Sequence, residues 1–534
     1  MKAMKRSAFA VLGTLGALGL AAGLSLAACG NGFPSLFVGN ATRDAGAVDD
    51  DAGKIPSLTG GCIGYGCTAA SSCPNSVVTT VTGTVYDPAG LDPLYNVVVY
   101  VPAKQPGPIT TGATCDSCDS LYSGGAVSSA VTNASGEFAL KNVPSGTNIP
   151  LVIQIGKWRK QTVIPTVKAC TNNPIPGKLT LPSRESEGDI PNIAVSTGGA
   201  DSLECLFLRI GIDASEYVAG NGTPGRIHIF QGSNSTAPGS LSAATTSPPA
   251  PLSSIALWNS TSNLMPYDIT ILSCEGSETV DQPGGGAITA DDQEHLLEYT
   301  SAGGRVFASH FHYAWFDNGP FGAENIAQWT RGANPITDST NNPVLNGNGD
   351  FINADIVTSF FDGGTFPKGE IMQEWLTNVQ ALNAIGEAAP GELHIDGAKH
   401  NADLVGVAGS PSQEWIAADQ SAQTEVIYDE PDAGPVLSAA GAVEYLSFNT
   451  PVDASVDDAG SPAYCGRVVY SDLHVGAASG DYGGSGAGGI VPSECALNPL
   501  SPQEKALEFM LFDLSSCVTP DTSSGQQPTP GPLQ

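Results

Sequence analysis

Positive charge is scarce in this chain. Its 534 residues include 21 Lys and Arg against 53 Asp and Glu, a formal net charge of −32. Such a surface repels phosphate backbones and anionic headgroups, which argues against a nucleic-acid partner. Charge of either sign is sparse, at 14% of residues, whereas Gly (64) and Pro (39) are plentiful. That balance speaks against a helical bundle and for loop-rich β and α/β architecture. One long apolar run is present, Ala8 to Leu26. No second run approaches the roughly 20 residues that a membrane-spanning helix needs.

The single apolar run follows Lys2, Lys5 and Arg6 and ends in Leu26-Ala27-Ala28-Cys29. A basic start, an apolar stretch and small residues before a cut describe a secretory signal. With Cys29 just after the small residues, it resembles a bacterial lipoprotein signal. That resemblance implies cleavage before Cys29, diacylation of its thiol and acylation of the new amine, which makes the acyl anchor the membrane contact. Gly30 rather than Asp follows, and by the same resemblance this favours the outer membrane. The sequence therefore predicts a signal at 1–28 and a cell-envelope location.

Setting Cys29 aside leaves eleven cysteines: 62, 67, 73, 115, 118, 170, 205, 274, 465, 495 and 517. Outside the cytoplasm these are expected to form disulfides. An odd number leaves at least one thiol free or paired between chains. Cys115-Asp-Ser-Cys118 has the spacing of a redox or zinc half-site, but it lacks a second pair and sits in a Gly/Ser-rich loop, so structural bridging is expected there.

Residues 29–76 are rich in Gly, Ala, Asp and Ser and read as an acidic tether, with Cys62, Cys67 and Cys73 fastening its end to the next domain. Acidic pieces recur at Asp429–Gly434 and Asp453–Gly460; lacking the ligand spacing of a calcium loop, they read as solvated loops. From 77 to 182 short β-branched strands alternate with turns: Val78–Tyr86, Val97–Val101, Ser128–Thr132, Glu137–Leu140 and Leu151–Ile155. This pattern predicts an all-β sandwich. The segments V-T-G-T-V-Y-D-P-A-G-L-D-P-L-Y-N-V-V-V-Y-V and V-T-N-A-S-G-E-F-A-L-K-N-V-P-S-G resemble the carboxypeptidase regulatory-like, transthyretin-like domain. The resemblance implies a spacer or docking module without catalysis of its own, and related sandwiches bind carbohydrate. Trp158, flanked by Lys157 and Arg159, is the candidate sugar-stacking residue; packing at the rim is the competing reading.

From 190 to 517 the pattern becomes β-α-β. Ile193–Thr197 reads as a strand, Leu203–Ile210 as a helix, and Arg226–Phe230, Tyr267–Ser273 and Arg305–Ser309 as strands. Thr289-Ala-Asp-Asp292 caps a helix that Gly303-Gly304 stops, and Arg467–Tyr470 is a late strand. Ser501-Pro-Gln-Glu504 opens a helix whose Leu507, Met510, Leu511 and Leu514 predict an amphipathic element docked on the sheet. The expectation is an open, mostly parallel sheet interrupted by a long insertion at about 318–464, then a disordered tail at 518–534.

In such sheets sites form beyond the carboxyl ends of the strands. Three ends carry reactive residues: Cys274-Glu275, His310-Phe-His312-Tyr313-Ala-Trp315, and Asp472-Leu-His474. The run E-Y-T-S-A-G-G-R-V-F-A-S-H and the later G-R-V-V-Y-S-D-L-H resemble the trehalose-utilisation (ThuA-like) branch of glutamine-amidotransferase-like domains. This implies a flavodoxin-like sheet. His310 stands where amidotransferases place their nucleophilic cysteine, and an imidazole cannot form the thioester, so amidotransferase activity is not expected.

Three readings stay open. His310, His312 and His474, with Asp472, could hold a divalent metal such as zinc, copper or nickel. Cys274 with His474 or His310 could form a thiol–imidazole pair for acyl transfer, so that Cys274, His310 and His474 are the candidate catalytic residues. Or these histidines are simply packed beside Tyr313 and Trp315. His394 and His400, flanking Asp396, are further candidate ligands. The chain is therefore expected to be a multidomain lipoprotein with a binding or structural role, its partner a carbohydrate or an envelope protein. The alternative is a metal- or thiol-dependent hydrolase.

Overall fold

A run of β-branched residues broken by Gly and Asn turns gives the first half of the chain its sheets. The computed structural model describes residues 62–67, 72–116, 118–232, 252–278, 288–332, 334–338, 352–384, 389–404, 410–425, 436–456, 463–476, 495 and 497–521. Cys29, the signal, most of the tether and the Asp429–Gly434 loop lie outside them. The first strands are β1 (Cys62–Ile63), β2 (Thr80–Tyr86), β3 (Val98–Pro102), β4 (Ala126–Val131), β5 (Glu137–Lys141), β6 (Gly146–Ile155), β7 (Trp158–Val167), β8 (Asn172–Pro174) and β9 (Leu179–Thr180). One sheet pairs β4 with β3, β3 with β6, and β6 with β7 and β1; another pairs β5, β8 and β9 with β2. At the turn before β5, Gly136 adopts φ +70°, and a Cβ there would meet the Val85 carbonyl.

The second half builds on β10 (Ile193–Ser196), β11 (Tyr217–Ala219), β12 (Ile227–Phe230), β13 (Ile269–Leu272) and β14 (Arg305–Ser309). The insertion adds β15 (Gln328–Trp329), β16 (Ile336–Asp338), β17 (Ile352–Ile356), β18 (Leu393–Ile395), β19 (Ala402–Asp403), β20 (Gln413–Ala418), β21 (Ala422–Glu425), β22 (Val436–Ser438) and β23 (Val443–Thr450), before β24 (Gly466–Ser471). Ten of these form one sheet in the order β11-β12-β10-β13-β14-β24-β23-β20-β17-β18. From β11 to β24 the pairing is parallel. From β24 to β18 it is antiparallel. The insertion both extends this sheet, with β17, β18, β20 and β23, and leaves it in two small sheets of its own, β15-β19 and β16-β21-β22. Every residue of β10, β12, β13 and β14 is buried, as strands covered on both faces require.

The helices are few. Ala290–Ser301 begins at the capping box of Thr289 and Asp292. Leu203–Ile210, expected as a helix, is a 3-10 turn over Leu203–Cys205 followed by one α turn over Leu206–Arg209.

The closing helix, Pro502–Ser515, departs most from expectation. It is buried on every side, Gln503, Glu504, Glu508 and Asp513 included. The reason is a second layer. On one side Phe509 meets Trp375 and Trp415 of the sheet unit; on the other it stacks on Tyr95 of the first unit at 5.8 Å, while Phe512 packs on Trp158 at 5.9 Å. One continuous apolar cluster therefore runs from Val81 and Trp158 to Ile193, Trp415 and Leu514. Two of its carboxylates are answered by cations: Glu504 pairs with Arg209, and Asp513 lies 3.1 Å from Lys368 and 3.4 Å from Arg467. Glu508 faces the carboxyls of Asp87 and Asp92 instead, and burial first and these neighbours second hold its own carboxyl well above the usual range.

Disulfides reinforce this seam. Cys115–Cys465 and Cys118–Cys517 fasten the loop between β3 and β4 to the start of β24 and to the end of the closing helix. The two cysteines of Cys115-Asp-Ser-Cys118 thus have separate partners and form neither a redox pair nor a zinc half-site. Cys73–Cys170 ties the end of the tether to the first unit, and Cys205–Cys495 closes the second. Cys274 is the free thiol among the described residues, as the odd count requires. No helix among them is long and apolar enough to cross a membrane.

Candidate metal centre

The chain leaves β10 toward β12 on one side and returns to β13 on the other, so the carboxyl ends of β10, β13 and β14 meet at a switch in strand order, the place where sites form in open sheets. Close backbone approach is written into the sequence here. A Cβ on Gly198 would run into the Cys274 carbonyl, which accepts the Ala200 N–H at 3.0 Å. Cys274 N–H donates to Ser309 Oγ at 3.0 Å, joining the ends of β13 and β14. His310 follows at φ +43°, a left-handed turn that aims its ring back over the strand ends. Tyr470 Oη lies 2.9 Å from His310 O.

His474 is held from outside its own strand. Asp201, just past β10, accepts the N–H groups of Val475 and Gly476 at 3.1 and 2.8 Å. Gln503 Nε2 donates to the carbonyls of His474 and Val475 at 3.0 and 2.8 Å. These anchors bring three reactive side chains together. His310 Nδ1 lies 3.4 Å from Cys274 Sγ and 2.9 Å from His474 Nε2. All three candidate ligand atoms lie within 4.8 Å of one another. A tetrahedral ion with metal–sulfur and metal–nitrogen bonds of about 2.3 and 2.0 Å sets its donors roughly 3.3–3.6 Å apart. The donor set fits a thiophilic divalent cation after shifts of a few tenths of an ångström to about one.

The electrostatics favour coordination over nucleophilic catalysis. Burial pushes the Cys274 thiol up to about 12, so the metal-free thiol is protonated at neutral pH. Burial, aided by the nearby Lys399, pulls His474 down to about 3, leaving its imidazole neutral and available as a ligand. A bound cation would deprotonate the coordinating thiol outright.

Other expected site residues lie elsewhere. His312 is not a ligand: residues 310–315 form a 3-10 helix rather than an extended segment, so positions i and i+2 diverge. Its Nε2 lies 2.9 Å from Ser273 O, and its Nδ1 accepts from Trp315 Nε1 at 3.0 Å. Asp472 is consumed by the backbone, accepting the N–H groups of Asn401 and Ala402 at 2.5 and 3.0 Å, with Tyr470 Oη 2.9 Å from its other oxygen. Trp158 cannot stack on a sugar, because it is fully buried against Phe512. His400 engages Thr424 and Asp403, and His394 faces Asp396 at 3.7 Å; neither joins the cluster.

The sequence reading missed Asp201 and Lys399. Asp201 follows Gly198-Gly199 at a strand end, the same signal that marked Cys274. Lys399 comes from the insertion, and only the fold brings it near.

No family model and no curated protein matches the chain. Among solved structures, it is similar to a type II cohesin–X-dockerin complex from Acetivibrio cellulolyticus, an N-terminal interface mutant, at 15% identity. The match covers 25% of this chain and 85% of that one, with a TM-score of 0.15. A dioxygenase domain from a dioxygenase carbohydrate-binding protein fusion of Streptomyces sp. SirexAA-E matches at 17% identity over 32% of this chain and 87% of that one, with a TM-score of 0.10. Such scores fall short of a shared overall fold.

Proposed function

We propose that this chain is a lipid-anchored envelope protein whose sheet crevice binds one thiophilic divalent cation, zinc by donor chemistry, on Cys274, His310 and His474. The observation that carries this reading is the convergence of those three side chains from three strand ends. The anchor rests on the Cys29 signal, and the role is binding or structural rather than amidotransfer. The first unit serves as a transthyretin-like spacer in this reading, supported by the Asn133–Gly136 turn and by its strands dividing into two sheets, one built on β3 and β6 and one on β2. The ThuA-like, flavodoxin-like assignment of the second unit is supported by its parallel β11–β24 half and by the left-handed turn at His310.

A hydrolase is the second reading, favoured by one feature: three protein ligands leave a tetrahedral ion a fourth position, and His474 is only half-buried. A bound zinc there would supply Lewis acidity, and Cys274, His310 and His474 would hold it.

The test is metal content. Full-length protein purified in detergent, loaded with zinc and desalted, is expected to retain one zinc per chain. Cys274→Ala, His310→Ala and His474→Ala should each lose it, and His312→Ala should keep it. Equal zinc in the wild type and in a variant lacking all three ligands would end the proposal. Cys29→Ala should release the chain from membranes.

A further inference from the structure

Cys274 is fully buried, yet a single residue stands between its sulfur and solvent. The N–H groups of Gly276 and Phe311 donate to Cys274 Sγ, and Gly276 itself is exposed. Gly276 sits at φ +86°, and among the described residues a Cβ there would meet only the Ala200 Cβ, at 3.8 Å. Glu275 beside it stays under cover, its Oε1 3.4 Å from Ser196 Oγ at the end of β10. The part free to swing is therefore Gly276–Glu278.

This strap is fastened at its far end. Glu278 Oε1 accepts from Tyr313 Oη, and Glu278 Oε2 lies 3.5 Å from Arg331 Nη1. Tyr313 is fully buried on the 3-10 helix that begins at His310. Arg331 Nε lies 2.6 Å from Asp317, so the guanidinium is shared between two carboxylates. The segment that carries Arg331 is itself fixed. Gly332 N–H donates to Tyr313 Oη at 2.8 Å, and the buried Asn401 side chain donates to the carbonyls of Thr330 and Gly332 at 2.6 and 2.8 Å. With a rigid anchor on one side and a glycine turn on the other, Glu278 is where the strap lets go. The Arg331 side chain is 55% exposed and that of Glu278 29%, so their ion pair is weak and open to screening by salt.

We propose that Gly276–Glu278 is a latched strap over Cys274, turning at Gly276 and released at Glu278, which controls access of small reagents to the thiol and exchange of the cation. Control of the cation rests on the metal reading above; control of the thiol does not. No latch residue belongs to the ligand cluster, so opening the latch raises the rates of binding and release together and leaves the affinity in place.

The thiol is tested in full-length protein stripped of metal with a chelator. Modification of Cys274 by iodoacetamide, a neutral reagent, is followed by mass spectrometry of its peptide; the rate reports the open fraction when opening is fast relative to labelling. Glu278→Gln loses the ion pair and keeps an acceptor for Tyr313, and should label about threefold faster. Glu278→Ala loses both contacts and should label about tenfold faster. High salt should speed the wild type and leave Glu278→Gln unchanged, a response that general loosening does not give. A urea midpoint close to that of the wild type shows the fold intact in each variant. Zinc release to a coloured chelator should follow the same order, with the zinc dissociation constant unchanged. Equal labelling rates in the wild type and both folded variants would overturn the strap, whatever the metal result. Faster labelling with equal zinc release would take the cation out of its control. A chain that binds no zinc but shows the labelling series would end the metal reading and keep the strap.

Discussion

The two ends of the ten-stranded sheet solve the problem of buried polarity differently. At the carboxyl end, Cys274 and His474 are kept neutral by burial and pressed against His310 by hydrogen bonds that hold the backbone around them. At the amino end, charge is answered by charge: Lys157 by Asp268 and Asp116, Arg159 by Asp189, and the covering loop is pinned by two disulfides. Neutral donors held ready suit a group that arrives and carries its own charge. Paired charges and covalent ties suit a seam that must keep two sheet systems together. Residues at the seam should therefore govern stability, and residues at the crevice should govern binding.

The largest test of that division is Phe509→Ala. Its ring fills the space between Tyr95, Trp375 and Trp415, so truncation should cost about 3–5 kcal/mol, read as a shift in the urea midpoint. Next is the pair Cys118→Ser with Cys517→Ser. Opening that bridge should cost about 2–4 kcal/mol in thermal unfolding under non-reducing conditions, with zinc content unchanged. Loss of zinc binding in a still-folded Cys118/Cys517 variant would show the two ends to be coupled, and the comparison would fail.

A smaller effect of opposite sign is expected where the first unit's turn faces the closing helix. Burial lifts the Asp87 carboxyl to about 7, with Asp92 adding to the rise, while the N–H groups of Leu91, Asp92 and Gly90 oppose it. The folded state then holds more protons than the unfolded one between about pH 4 and 7. The contribution of this group is full below pH 4 and is lost as pH rises through 7. Asp87→Asn keeps the bond that Oδ1 accepts from Leu91 N–H and removes the titration. It should stabilise the protein by about 1–3 kcal/mol at pH 8 and flatten the fall in midpoint between pH 4 and 7. An unchanged slope in the variant would assign that fall to other carboxyls.

How far the sequence carried these conclusions depended on the range of the interactions. Continuous apolar strands such as Ile269–Leu272 and Arg305–Ser309 were legible because burial on both faces leaves no alternation to mask them. The capping boxes at Thr289 and Ser501 were legible because they close within three residues. The meeting of Cys274, His310 and His474 followed from the strand-end rule. What failed needed a distant partner or a local backbone choice. Of the two readings of Trp158, sugar stacking fails and packing holds, but in the core rather than at the rim, because the ring faces a helix that begins at Pro502. His312 was paired with His310 on the assumption of an extended segment, and the 3-10 turn sends it toward Ser273 instead. Asp472 looked free because the two N–H groups that it accepts come from the insertion.

The smallest stability effect is expected in the crevice, and it sharpens the comparison most. Cys274→Ala removes one buried sulfur that bridges no second cysteine, so without metal the midpoint should move by about 1 kcal/mol or less. With zinc at a hundred times its dissociation constant, a one-site ligand should stabilise the wild type by about 2.7 kcal/mol. The variant should show almost none of that gain. The pair of melting curves, with and without zinc, thus separates a residue that packs from a residue that binds. A Cys274→Ala chain as destabilised without metal as the Phe509→Ala chain would mean that the thiol belongs to the core after all. Equal zinc stabilisation in variant and wild type would move the cation away from the three strand ends.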